Sequence, residues 1–229
     1  MRYQMKIMID SSRLYEQYLD FYDDIGFMAA LFHNDMLDNA DIYEIANRLN
    51  KKTPDDVLAK IIANGTDGNN KGLFDNYLNV RGIKFVDSKR ALIAKVFYYI
   101  LHDRIDFYKG IKFADIEMSN YENVITYVGD DVGIEQILGD FYAVDDADLM
   151  NEKDVETAID FVISGLKEYV NEYLVDFPID NNISQVNKKT VIKTETEEKV
   201  KAKALARGIE LKNYWDKVRD EDRGQSGSA

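Results

Sequence analysis

The sequence has no cysteine, and only two prolines, two histidines and one tryptophan among 229 residues. Without cysteine there is no disulfide, no thiolate metal site and no cysteine nucleophile, a composition that suits a reducing, cytoplasmic setting. Long apolar runs are missing too. The longest, Ala91 to Leu101, is interrupted by Lys95 and closed by His102 and Asp103, which fits a buried helix and not a membrane span. Residues Met1 to Asp10 lack the apolar stretch of a signal peptide core. No phosphate-binding loop, dinucleotide glycine fingerprint or nucleophile elbow is present, and Gly129 to Gly133 is too short to serve as one.

What the chain has in excess is negative charge. Twenty-nine basic residues face 42 acidic ones, a net of −13. The charge is uneven: residues 188–229 hold 11 Lys or Arg and 8 Asp or Glu, a net of +3, which leaves −16 on residues 1–187. So acidic a body repels nucleic-acid phosphates and attracts basic surfaces, which favours a basic protein as partner over direct binding of nucleic acid. The plainer alternative is that acidity serves solubility alone.

Periodicity predicts a mainly α fold, a helical globular body with a few short strands plus a charged C-terminal helix. Residues 1–9 alternate as a strand does, with Tyr3, Met5, Ile7 and Ile9 on one face. From Ser11 or Ser12 the period becomes helical through Leu14, Tyr18, Phe21, Tyr22, Ile25, Met28 and Ala29, with Gly26 as a possible division. A boundary at Asp38 to Asp41 precedes a short helix at 41–49. Thr53 is expected to cap the next helix, with Pro54 at its first position and Asp55 and Asp56 facing the dipole, and Gly65 is expected to stop it. Residues 65–72 read as a loop.

Gly82 to Asp87 recurs almost unchanged as Gly110 to Asp115, around a predicted helix at 88–108. A strand-helix-strand unit and a helix exit used twice both remain open. Ser119 to Glu122 has capping-box spacing and is expected to open a helix through Val128. Residues 130–142 are helical in pattern, and Asn151 is expected to cap a long amphipathic helix that ends before Pro178. The domain reading is therefore an acidic body at 1–176, a linker at 177–193, a charged helix at 194–223 and a tail at 224–229. The apolar stripe of that last helix is thin, so it either packs on the body, pairs with another chain through residues 194–219, or frays.

One candidate site carries enzymatic chemistry. His102-Asp103, closing the run Phe97-Tyr98-Tyr99-Ile100-Leu101, resembles the metal-binding helix of HD-type phosphohydrolases. In that family an upstream His, the His-Asp pair and a later Asp hold divalent metal that activates water, which implies here His33, His102 and Asp103 with Asp130, Asp131 or Asp145 as the last ligand. The sequence departs from the family in Arg104 and Ile105, which replace the usual glycine and lysine, and in the 69 positions between His33 and His102. The paired carboxylates Asp23-Asp24, Asp55-Asp56, Asp130-Asp131 and Asp145-Asp146 lack the spacing of a calcium loop. No cofactor is expected.

The second candidate is a surface. Tyr and Phe are concentrated in the acidic body, and exposed rings among carboxylates would suit a basic partner, with core packing as the other reading for any single ring. The candidate contact residues are Tyr18, Tyr22, Asp23, Asp24, Asp130, Asp131, Tyr142, Asp145, Asp146 and Asp148. From Arg90 to Leu174, an aromatic-rich helix, an Asp/Gly-rich turn, a short helix and a long closing helix resemble small acidic bacterial immunity proteins encoded beside polymorphic toxins. That resemblance implies stoichiometric inhibition of a basic toxin, often a nuclease. The expected function is thus a non-enzymatic inhibitor, either an immunity protein or a phage-encoded nucleic-acid mimic. The alternatives are an HD-like hydrolase and an assembly protein that oligomerises through its C-terminal helix.

Overall fold

The computed structural model describes residues 18, 20–85, 87–122, 132–145, 151–174 and 194–226, with the side chains of 118–122, 132, 133, 145 and 222–226 excepted. Among these residues the chain is mainly α, with nine helices and no strand. The strand expected at 1–9 and the linker expected at 177–193 lie outside the described residues. The chain divides into two compact units, residues 1–88 with 176–185, and residues 89–175 with 186–229. The expected body at 1–176 spans parts of both.

In the first unit, α1 (Ile25–His33) buries five consecutive residues, Phe27 to Leu31, as a helix apolar on all sides must. Tyr18 is helical too, and residues 11–17 lie outside the described residues, so what differs from the expectation is where the helical stretch divides. Residues 20–23 form a turn, and Asp24 accepts the Phe27 N–H at 3.0 Å, so the break falls on a capping carboxylate and not at Gly26. Next, α2 (Asn39–Lys52) starts within the expected boundary at Asp38 to Asp41 but is longer than the helix expected at 41–49, and it opens in a reciprocal box in which Asp38 and Asp41 each accept the other's backbone N–H, at 2.9 and 2.8 Å. It buries Ile42, Ile45, Ala46 and Leu49.

The cap of α3 (Asp56–Asn64) is Asp55, not Thr53. Pro54 holds Thr53 in an extended conformation, so Thr53 ends α2 while Asp55 accepts from Val57 and Leu58 N–H at 2.8 and 3.2 Å. Its other oxygen takes the Arg81 guanidinium at 2.9 Å, and that guanidinium lies 3.5 Å over the Tyr77 ring. Gly65, at φ 67°, stops α3 as expected.

The loop after it is shorter than its composition suggests. α4 (Asn70–Val80) starts inside it, because the fully buried Asn70 donates its side-chain amide to the Gly65 and Asn39 carbonyls at 2.8 and 3.4 Å. Periodicity does not reveal α4, since only Phe74, Tyr77 and Leu78 are buried on its apolar side. It ends in a Schellman turn: Gly82, at φ 70°, donates to the Asn79 carbonyl and Ile83 to the Leu78 carbonyl.

In the second unit, α5 (Ser88–Leu101) is apolar on nearly every side. The single helix expected at 88–108 is broken after Leu101. Asp103, at φ 55°, closes a second Schellman turn, with its N–H on the Ile100 carbonyl and the Arg104 N–H on the Tyr99 carbonyl. Asp106 then accepts the Lys109 N–H at 3.0 Å and opens α6 (Phe107–Glu122). The two Gly-Ile-Lys-Phe copies are therefore unlike: Gly82 is a left-handed helix exit, whereas Gly110 lies within α6, where a Cβ would come within 2.5 Å of Ile100 Cδ1. Neither copy is a strand, and the repeat is one of letters only. Residues 119–122, expected to open a helix, close α6 instead.

Helix α7 (Val132–Asp145) buries Ile134, Ile137, Phe141 and Val144. Asn151 caps α8 (Glu152–Tyr173) as predicted, accepting the Lys153 and Asp154 N–H groups. α7 and α8 approach closely at Gly165, where a Cβ would lie 2.5 Å from Ile137 Cγ1. Helix α9 (Thr194–Ser226) packs on α6, α7 and α8 through Val200, Ala204 and Gly208, one turn apart. It runs through residues 224–226, which composition alone assigns to a tail. Tyr108 donates its hydroxyl to the Ala204 carbonyl at 3.1 Å.

Burial pushes the Asp55 carboxyl up, but the Arg81 guanidinium and the Leu58 and Val57 N–H groups outweigh it and hold the group below its usual range. Its stabilisation is therefore complete above the ordinary Asp value of about 3.9 and is lost as pH falls through the lower folded value. Asp55→Ala is expected to cost about 1–2 kcal/mol by urea unfolding and to speed hydrogen exchange of the α3 amides at neutral pH. Asp55→Asn should also flatten the acid side of the stability profile.

Candidate functional site

In the first unit, helix starts and local pairs account for the candidate contact residues. Tyr18 is 2% exposed and packs edge-on against Phe27 with ring centroids 5.6 Å apart, so it belongs to the core and offers no face to a partner. Tyr22 is half-buried beneath two cations, Lys52 at 4.7 Å and Arg48 at 5.3 Å from its ring centre. Asp23 is paired with Lys52 at 3.4 Å, and Asp24 is the α1 cap. Of these four, Asp23 alone is an exposed carboxylate.

Of the His-Asp pair, Asp103 is engaged by α9. The left-handed turn at Asp103 points its carboxylate at α9, where Lys199 lies at 2.5 Å and Lys203 at 2.6 Å. Those hydrogen bonds, from Lys199 first and then Lys203, hold the Asp103 carboxyl below its usual value. His102 stacks on Tyr98 with centroids 4.0 Å apart and donates from Nδ1 to the Tyr98 carbonyl at 2.7 Å. His33 belongs to the other unit, exposed and edge-on to Phe32 and Phe85. No three His, Asp or Glu side chains gather as a metal site among the described residues. Asp130, Asp131, Asp146 and Asp148 lie outside the described residues, as does the side chain of Asp145.

The strongest electrostatic feature is in α7 and α8. Residues 130–160 carry eleven Asp or Glu against one Lys. Of the described members, Glu135, Glu152, Glu156 and Asp160 are exposed, while Asp140 and Asp154 are half-buried. Burial raises the Asp140 carboxyl. Tyr142, another candidate contact, is half-buried and donates its hydroxyl to Asp115, tying α7 to α6.

Helix α9 answers that charge. Its buried stripe of Val200, Ala204 and Gly208 is flanked on one side by Lys199 and Lys203. On the other side Lys201 pairs with Asp160 at 2.8 Å and Glu156 at 3.2 Å on α8. Those two carboxylates, Asp160 first, hold the Lys201 ammonium above its usual range. Lys167 of α8 reaches back to Glu197. The lysines place their charges on carboxylates at the edges of the stripe. The acidic unit thus holds the lysine-bearing segment of α9 by small apolar contacts inside a rim of ion pairs.

Phe161 is a surface residue that the candidate list omits. It is 58% exposed on α8. Its signal lay in the sequence, because Val155, Ile159, Val162, Ile163, Leu166 and Val170 make the core stripe and Phe161 falls outside it. No protein-family model, curated protein or solved structure matches the chain. Among the described residues no helix is long and apolar enough to cross a membrane.

Because Lys199 and Lys203 are mostly exposed, each pair with Asp103 contributes about 1 kcal/mol or less. Asp103→Asn is expected to lower the urea stability of the second unit by about that much, read from the fluorescence of Trp215, the sole tryptophan. The loss should be full above the ordinary carboxylate value and vanish as pH falls through the depressed Asp103 value. Elemental analysis of purified protein is expected to find no stoichiometric transition metal; metal kept by wild type and lost in His102→Ala would favour the hydrolase.

Proposed function

We propose that this protein acts without catalysis, by binding a basic protein and blocking it, in the manner of a toxin immunity protein or a phage-encoded mimic of nucleic-acid charge. The observation that carries this reading is the docking of α9. Carboxylates from the α5–α6 turn and from α8 receive three lysines of the segment 199–207 of α9, which carries four Lys or Arg and no Asp or Glu, around a narrow apolar stripe. A surface that receives a lysine-bearing helical segment within its own chain has the chemistry to receive one on another protein. Long-range attraction from a net charge of −13 would speed the encounter, and the same charge would keep nucleic acid away.

A second reading, assembly through α9, draws on its distal part, where Tyr214 is 48% exposed beside Trp215. Removing residues 213–229, beyond the docked stripe, separates the two. An inhibitor stays monomeric by light scattering with or without them, while an assembly protein drops in mass when they are removed.

The intact chain, immobilised and exposed to extract of its own cells, is expected to retain a basic protein. Affinity for that protein should fall about tenfold or more as the screening length shortens from about 30 Å at 0.01 M salt to about 8 Å at 0.15 M. A complex indifferent to salt would overturn electrostatic inhibition.

A further inference from the structure

We infer that the edge of α8 centred on Phe161 is the contact face for a basic amphipathic helix of the partner, with Phe161 as its apolar anchor. This rests on the reading above and assigns it a place.

Helical spacing aligns Asp154, Thr157, Phe161, Glu168 and Glu172 in one stripe. At about 1.5 Å per residue, the stripe runs about 27 Å along the helix. It is distinct from the buried stripe and from the edge occupied by α9, which uses Glu156, Asp160 and Lys167. Thr157, Phe161, Glu168 and Glu172 are exposed, and Asp154 is half-buried. Asp154, Glu168 and Glu172 hold no ion pair among the described residues. An aromatic side chain 58% in water gains the fold little, and one flanked along the helix by unpaired carboxylates has the form of an interface anchor with a charged rim.

The occupant follows from charge complementarity and from the other edge of the same helix. There Asp160 and Glu156 of α8 already take Lys201 of α9, beside the buried Val200 and Ala204. The Phe161 edge offers an apolar centre with carboxylates two turns to either side along the helix. It fits a helix carrying Lys or Arg at that spacing around an exposed aliphatic side chain. Nucleic acid is disfavoured because the stripe itself carries only negative charge. The chain's own α9 is engaged on the other edge.

The test uses the full chain and two synthetic helical peptides of about 18 residues, about five turns, one with lysines flanking a leucine stripe and one with glutamate in place of each lysine. Calorimetric titration is expected to show binding of the lysine peptide only. Phe161→Ser and Glu168→Lys, both at exposed positions, should each weaken it about tenfold, equivalent to about 1.4 kcal/mol. Glu210→Lys, the same charge reversal on an exposed site of α9, should leave it within about twofold. Unchanged urea midpoints would show that the variants fold.

Equal affinity of wild type, Phe161→Ser and Glu168→Lys for the peptide would overturn the assignment. So would a wild-type dimer that Phe161→Ser makes monomeric, since a second copy would then cover the face. If the partner retained from extract binds all three forms alike and still responds to salt, this face is wrong and the inhibitor reading stands. If no basic protein or peptide binds at any salt, the inhibitor reading itself fails.

Discussion

The second unit turns on one residue. Asp103 adopts the left-handed conformation that ends α5, a position where glycine is usual and where aspartate is among the few tolerated substitutes. That conformation frees the chain to restart as α6 and aims the carboxylate at α9. There two ammonium groups, one helical turn apart, close on it. Helix termination, the direction of α6 and the seat of α9 thus meet at a single side chain.

The strength of that seat follows from its parts. The lysines on Asp103 are about 60% exposed, so each pair adds little. Val200 and Ala204 are buried but small, and burying a valine adds about 1.5–3 kcal/mol. Close approach does the rest: at Gly208 a Cβ would lie 2.8 Å from Val155 Cγ1 and 3.1 Å from the Tyr108 hydroxyl. The result is a helix held by shape and charge together, with shape setting where it lies and charge setting which kind of helix is accepted.

Acidity has two different uses along the chain. In the first unit much of it serves local structure, with Asp24, Asp38, Asp41 and Asp55 each accepting backbone N–H groups at helix starts. In the second unit eleven acidic residues fall at 130–160, of which Glu156 and Asp160 pair with Lys201 of α9 while Glu135 and Glu152 also lie on exposed helix faces. Bulk charge gives one number for both uses. Only the second use suits recognition of a basic protein, and for that reason the proposed contact lies on α8 and not on the Tyr22 to Asp24 turn.

By itself the sequence determined the mainly helical character, the boundary at Asp38 to Asp41, the stop at Gly65, the cap at Asn151 and the buried face of α8. Each depends on contacts within a turn or two, where residue type and spacing are the whole cause. It also contained Phe161 outside the core stripe of its helix, though nothing local says that the ring stays uncovered. Tertiary structure decided the rest. Besides capping α3, the Asp55 carboxylate is held by Arg81, 26 residues away, and starting α4 at Asn70 depends on Asn39. Turning Asp103 from a ligand candidate into an anchor depends on lysines about a hundred residues further on. Such choices are made by partners distant in the chain, and local periodicity does not record them.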